Sequence, residues 1–162
     1  MANKTTFTSD EWKRLLEAVM MAGISVTAAE PSGLWGTLKE SFSSARSMTA
    51  GKSGASELVK ALVADLETSE GRAVAREGLK EQLRGSQATE IRTKSVDALR
   101  EAAGLLDTKA PEDAPAVKSW LMTISQSAAE ASKEGGFLGF GGVQVSDAEK
   151  ATLADIKSAL KI

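Results

Sequence analysis

The sequence predicts an all-α domain of six to seven helices packed around an apolar N-terminal helix. Apolar residues recur at helical spacing along most of the 162 residues. No stretch alternates β-branched and polar residues over the length of a strand. A chain of this length fits one domain, residues 1–162, and a domain of this size buries about 70% of its unfolded surface.

The first helix is predicted to begin at a capping box. Thr8 is the expected N-cap, and Glu11 stands at the third helical position, where its side chain can reach back to the cap. Phe7 and Trp12 occupy the two positions of a hydrophobic staple. One face of the helix is then apolar at helical spacing: Trp12, Leu15, Leu16, Val19, Met20 and Gly23.

The second half of this helix lacks a polar face. Lys13, Arg14 and Glu17 lie opposite the apolar face, but Met21 and Ile24 occupy the positions where charges should continue. A helix that is apolar all round is either enclosed by neighbouring helices or meets a second subunit. We expect it to be enclosed within the chain, with a homo-oligomer as the alternative.

Further helices follow from apolar stripes separated by breaks. The stripes cover residues 34–48, 58–66, 74–83, 91–106, 117–131 and 153–160. Gly71 and Gly78 weaken the prediction for the third of these, since a glycine inside a helix costs about 1 kcal/mol relative to alanine. Gly85 fits its end. The proline-containing stretch 107–115 is predicted to be a linker and could separate two subdomains, although one core is the simpler interpretation.

The last helix has its own start signal. Ser146 and Glu149 form a second capping box, which is the same arrangement as at the first helix. Most of five acidic groups also coincide with first-turn or capping positions, where a negative charge is favourable to the helix dipole: Asp10/Glu11, Glu30, Glu67/Glu70, Glu112/Asp113 and Asp147/Glu149. A carboxylate-only Mg²⁺ or Ca²⁺ site is conceivable, but no calcium-loop spacing occurs.

Composition excludes several kinds of site. The chain has no cysteine and no histidine. It therefore has no disulfide, thiolate nucleophile, iron–sulfur cluster, Ser-His-Asp triad or histidine-containing zinc site. Catalysis would have to come from carboxylates, lysine, serine or threonine, so we expect a protein that is not an enzyme and has no cofactor. The net charge of −2, from 20 basic and 22 acidic residues, gives no general attraction to nucleic acid.

The sequence contains no apolar segment of membrane-spanning length. The N-terminus has no signal-peptide core. The uncharged stretch of residues 18–29 is too short to span a bilayer, which takes about 20 apolar residues. We therefore expect a cytoplasmic protein.

Two glycine motifs do not fit nucleotide-binding patterns. Gly51-Lys52-Ser53 resembles the end of a phosphate-binding loop, but Arg46 stands where that loop needs glycine. The stretch after Gly139 and Gly141 has Gln144 where a dinucleotide fingerprint needs glycine. In both cases a predicted helix precedes the motif, where a strand is required.

The stretch GGFLGFGG, residues 135–142, combines five glycines with Phe137, Leu138 and Phe140. Ordering eight residues costs on the order of 8–16 kcal/mol. Burying the three apolar side chains returns only about 5–9 kcal/mol. Either the segment anchors a connection over the end of the bundle, or it docks a protein partner or a small apolar ligand. The candidate binding residues are Gly136, Phe137, Leu138, Gly139, Phe140 and Gly141; no catalytic or metal-binding residue is predicted.

Two stretches, residues 7–33 and 135–160, resemble the two ends of a small family of bacterial helical proteins without a known function. The more specific signature is GGFLGFGG followed, after three residues, by Ser-x-x-Glu. This resemblance implies a stand-alone cytosolic helical protein and carries no reaction, ligand or active site. In length and helical content the chain is also similar to the tellurite-resistance B-like proteins, which are associated with an acidic metal-binding cluster.

We therefore expect a non-enzymatic helical binding or interaction module that uses the glycine- and phenylalanine-rich loop 135–142. The alternative is a carboxylate-based metal-binding protein, similar to the tellurite-resistance B-like proteins, or a metal-dependent hydrolytic protein.

Overall fold

A computed structural model describes residues 1–27, 56–134 and 145–162. These residues form one 3₁₀ turn and six α-helices, without a strand, which confirms the predicted all-α class. The predicted helix over 34–48, the Gly51-Lys52-Ser53 turn and the loop 135–142 lie outside the described residues. The elements are a 3₁₀ turn Lys4–Thr6, α1 Ser9–Thr27, α2 Glu57–Glu67, α3 Ser69–Leu83, α4 Ala88–Lys109, α5 Ala114–Glu134 and α6 Asp147–Leu160.

Helix α1 is the central helix of this arrangement. It packs against α3, α4 and α5 along most of its length and also contacts α2 and α6. Met21 and Ile24, on the face that lacks charges, are buried with Leu83 of α3 and Ile91 of α4. The prediction that α1 is enclosed within the chain is therefore confirmed.

The predicted start of α1 is present in full. The Thr8 N–H donates to Glu11 Oε2 at 2.8 Å, and the Glu11 N–H donates to Thr8 Oγ1 at 3.3 Å. The rings of Phe7 and Trp12 lie 5.9 Å apart between centroids. The capping box and the staple therefore fix both the first residue of α1 and the direction from which the chain enters it.

Asp65, near the end of α2, connects that helix to the start of α1. Its Oδ2 accepts hydrogen bonds from Trp12 Nε1 at 2.6 Å and from Lys4 Nζ at 2.8 Å. Burial raises the pKa of Asp65, but the two hydrogen bonds and the charge of Lys4 outweigh burial and lower it. The ionised carboxylate is therefore the form that stabilises this contact.

The connection between α4 and α5 is shorter than the predicted linker 107–115. Helix α4 continues to Lys109 and α5 begins at Ala114, so that only residues 110–113 connect them. Asp107 remains helical because its carboxylate pairs with Lys118 Nζ at 2.5 Å and Lys161 Nζ at 3.5 Å. Residues on both sides of the connection belong to the same apolar core.

The capping box of α6 is also confirmed. The Ser146 N–H donates to Glu149 Oε2 at 2.8 Å, and the Glu149 N–H donates to Ser146 Oγ at 3.2 Å. The buried side chains of this helix, Ile156 and Leu160, join the core around α1. None of the described helices is long and apolar enough to cross a membrane.

Gly71 lies in the first turn of α3, where the backbone passes close to the end of α2. A Cβ atom at this position would lie 2.1 Å from the carbonyl oxygen of Asp65 and 2.7 Å from its carbonyl carbon. Gly104, inside α4, has open space around the position of a Cβ atom. Packing therefore requires glycine at position 71 and does not require it at position 104.

Gly71→Ala and Gly104→Ala should change stability in opposite directions. We expect Gly71→Ala to lower the free energy of unfolding by about 1–3 kcal/mol, because backbone atoms have to move apart. Gly104→Ala should raise it by about 0.5–1 kcal/mol, since alanine loses less conformational freedom in a helix. Urea denaturation of both variants measures this, and equal effects of the two substitutions would contradict the assigned packing.

Candidate functional site

A polar cleft of about 510 Å³ opens where α1, α3 and α4 meet. Five carboxylates and three basic groups line it, so the lining is acidic in balance when all of them are ionised. The lining residues are Asp10, Lys13, Arg14 and Glu17 of α1, Gly78, Glu81 and Gln82 of α3, and Lys94, Asp97, Ala98 and Glu101 of α4.

Glu17 is the buried acid of this cleft, with only 3% of the residue exposed. Its carboxyl group lies against Gly78 of α3, at the place where any other residue would carry a side chain. A Cβ atom at position 78 would lie 1.6 Å from Glu17 Oε1 and 2.4 Å from Glu17 Cδ. The glycine thus leaves the room in which a carboxyl group is held between two helices.

The carboxyl group of Glu17 has one hydrogen-bond donor from α3 and a more distant cation from α1. Gln82 Nε2 donates to Glu17 Oε2 at 2.5 Å. Lys13 Nζ lies 3.8 Å from Glu17 Oε1 and also 3.8 Å from Glu81 Oε2. The positive charge of Lys13 is therefore shared between a buried and an exposed carboxylate.

Burial raises the pKa of Glu17, because the ionised carboxylate loses its hydration between α1 and α3. The negative charge of Glu81 raises this pKa further. Lys13, Arg14 and the Gln82 hydrogen bond act in the opposite direction without cancelling the effect of burial. A carboxyl group with a pKa perturbed by burial, at the edge of a cleft, is a typical feature of functional sites.

Lys94, in the cleft lining, forms hydrogen bonds with the end of α3. Its Nζ donates to the backbone oxygen of Gln82 at 2.9 Å and to Ser86 Oγ at 2.7 Å. Gly85 follows with a φ of +71°, so the predicted glycine end of this helix is confirmed. Because a cation near the last carbonyls of a helix is favourable, Lys94 stabilises the end of α3.

A second groove, of about 450 Å³, lies between α4 and α6. Its two arginines are both paired: Arg92 Nη2 lies 2.5 Å from Asp155 Oδ2, and Arg100 pairs with Asp97. These pairs compensate the positive charge that an anionic ligand would need. We therefore interpret this groove as a contact between two helices.

Carboxylates do not form a metal site in the part of the chain that the structure describes. No three of them there come together in a way that could hold a metal ion. In the cleft, basic residues stand between the acidic ones, and Glu17 is engaged with Gln82. The metal-binding alternative therefore gains no support from these residues.

The binding residues predicted from the sequence, Gly136 to Gly141, lie outside the described residues. Sequence reasoning placed Glu17 on the polar face of α1 and did not single it out. Two signals were present: the polar face ends directly after Glu17, and Gly78 interrupts a helical stripe without a local reason. These two signals lie on different helices. They indicate a buried acid opposite a glycine only once it is known that α1 packs against α3.

Comparison with known proteins finds no matching family model, no matching curated protein and no matching solved structure. The resemblance of residues 7–33 and 135–160 to a bacterial helical family therefore stays a prediction.

Glu17→Gln should raise the free energy of unfolding near neutral pH. The amide carries no charge to desolvate, and its oxygen still accepts the hydrogen bond from Gln82. Because the pKa of Glu17 is raised in the folded state, its protonated form favours folding, and this contribution is lost as pH rises through the folded-state pKa. The advantage of the variant should therefore disappear as pH falls toward the ordinary value of 4.5, which urea denaturation at several pH values measures.

Asp65→Asn is the matched control, for which the change in the free energy of unfolding near neutral pH should have the opposite sign. Because the pKa of Asp65 is lowered, its carboxylate stabilises the fold above the ordinary value of 3.8, and this contribution is lost as pH falls. The asparagine variant should be less stable than the unsubstituted protein near neutral pH and approach it in acid. If both variants were destabilised alike at neutral pH, Glu17 would be an ordinary ion-pair partner.

Proposed function

We propose that the protein is a non-enzymatic helical binding module that contacts a protein partner or a small apolar ligand through residues 135–142. The observation that carries this proposal is the composition of that segment, in which Phe137, Leu138 and Phe140 alternate with glycines. Their burial alone returns less free energy than ordering the segment costs. A bound partner would supply the missing stabilisation.

The surface of the described helices supports this choice of segment. Their large apolar side chains are directed into the core around α1, and the exposed ones within the described residues are Met1 and Ile162. These helices therefore offer a charged surface with a polar cleft. Residues 135–142 supply apolar side chains that an apolar partner could contact.

The groups that could act as nucleophiles in the described core hold helices together instead. Ser125 Oγ donates to the backbone oxygen of Ala22 at 2.8 Å, and Ser95 Oγ donates to Met21 Sδ at 3.3 Å. Lys118 is paired with Asp107 at 2.5 Å. This favours a binding protein over an enzyme. A bacterial and cytoplasmic setting is part of the same proposal and is supported by the sequence alone.

Replacing Phe137, Leu138 and Phe140 by serine tests the proposal. We expect the unsubstituted protein to bind the apolar dye 8-anilinonaphthalene-1-sulfonate saturably in its native state, and the triple variant to lose most of this binding. Leu153→Ala is the matched control, because Leu153 packs partly buried against the core and its truncation lowers stability without changing the side chains of the segment. Equal dye binding by all three proteins, with only a lower melting temperature in the triple variant, would show that the segment is structural.

The carboxylate-based metal alternative has a separate test. Isothermal titration of the purified protein with Mg²⁺, Ca²⁺ and Mn²⁺ should give no binding heat if the module binds an apolar partner only. A saturable heat with one equivalent of metal, lost when carboxylates are changed to amides, would favour the alternative.

A further inference from the structure

The middle of the buried face of α3 consists of small residues. The buried residues of this helix are Gly71, Ala75, Gly78 and Leu83, whereas the shorter α2 buries Leu58, Val59, Leu62, Val63 and Leu66. Leu83 and the partly buried Val74 and Leu79 pack against the core, but Ala75 and Gly78 between them bury little apolar area, to which the free energy of burial is roughly proportional. In this middle part the contact with α1 depends on close approach of the two backbones and on the polar groups between them.

The polar group at the centre of this contact is Glu17. Its carboxyl group fills the space left by Gly78 and accepts a hydrogen bond from Gln82, and both of these residues belong to α3. A protonated carboxyl group can occupy this place at little cost. An ionised one has to give up its hydration, which is unfavourable unless a cation replaces the water.

The charges that face Glu17 do not replace that water well. They come from three helices: Asp10, Lys13 and Arg14 of α1, Glu81 of α3, and Lys94, Asp97 and Glu101 of α4. Lys13 is shared with Glu81, and Lys94 is bound to the end of α3. Asp97 pairs with Arg100, and the remaining acids and bases of the lining balance, so ionisation of Glu17 adds an excess negative charge. The cleft is open to solvent, so the carboxylate can be hydrated if α3 moves away from α1.

We propose that Glu17 is a proton-controlled latch between α1 and α3: protonated, it holds α3 in place, and ionised, it releases α3 from α1 while the other helices stay packed. The latch is a conformational device of the scaffold and is independent of the segment 135–142. Release exposes the face of α3 that carries Ala75, Gly78 and Leu83, together with the side of α1 that it covers.

The absence of cysteine from the chain allows a direct test. Ala75 of α3 and Ala103 of α4 are both 0% exposed, so Ala75→Cys and Ala103→Cys place single thiols on two different helices of the same core. Each variant is labelled with 4,4′-dithiodipyridine between about pH 4.5 and 8. Dividing each rate by that of the same variant unfolded in urea at the same pH removes the intrinsic reactivity of the thiol.

We expect protection of the thiol at position 75 to fall by about tenfold or more as pH rises, while protection at position 103 stays constant. Adding Glu17→Gln to the Ala75→Cys variant should keep protection high at every pH. Adding Glu77→Gln is the control, because that exposed carboxylate of α3 lies outside the cleft lining and its removal should leave the pH dependence in place. Protection that is independent of pH, that falls equally with Glu17→Gln, or that falls in parallel at position 103 would overturn the proposal.

Hydrogen exchange followed by mass spectrometry gives a second readout on the chain without introduced thiols. After correction for the intrinsic exchange rate, peptides from residues 69–83 should lose protection as pH rises, and peptides from residues 91–106 should not. In the Glu17→Gln protein both regions should behave alike across the range. Uniform loss of protection over the whole chain would contradict a local release of α3.

Discussion

An α-helix without a polar face persists in water only when other helices cover it. Helix α1 has this character from Leu15 to Val26, where Glu17 and Ser25 are its only polar side chains. Helices α3, α4 and α5 cover most of it, and α2 and α6 complete the enclosure. Each of these helices contributes buried apolar side chains to the core around α1.

Two carboxylates at the border of α1 have opposite effects on that enclosure. Asp65 lies where the chain enters the helix, and it receives hydrogen bonds from Lys4 and Trp12 that favour its ionised form. Glu17 lies under α3, where burial favours its protonated form. As pH rises through the acidic range, ionisation of Asp65 therefore stabilises one end of the core. Ionisation of Glu17 instead weakens the contact between α1 and α3. Their difference follows from hydrogen-bond donors and cations close by, not from the chemistry of the carboxyl group.

The features that could be predicted from the sequence are local or periodic. The capping boxes at Thr8 and Ser146 join groups three residues apart, and the end of the polar face after Glu17 indicates the enclosure of α1. The hydrogen bond from Trp12 to Asp65 spans 53 residues and has no local signal. The fit of Glu17 against Gly78 likewise depends on which helices become neighbours. The predicted linker was too long because the polar residues of the last turn of α4 resemble a linker until their partners, such as Lys118, are known.

The enclosure of α1 can be tested most directly by hydrogen exchange of individual backbone amides, followed by NMR. If α1 is the enclosed centre of the fold, its amides from residue 15 to residue 26 should exchange only through global unfolding. Their protection should then equal the free energy of unfolding measured with urea and be the largest in the protein. Exchange of these amides through local opening, faster than that of the amides of α6, would contradict the central place of α1 in the fold.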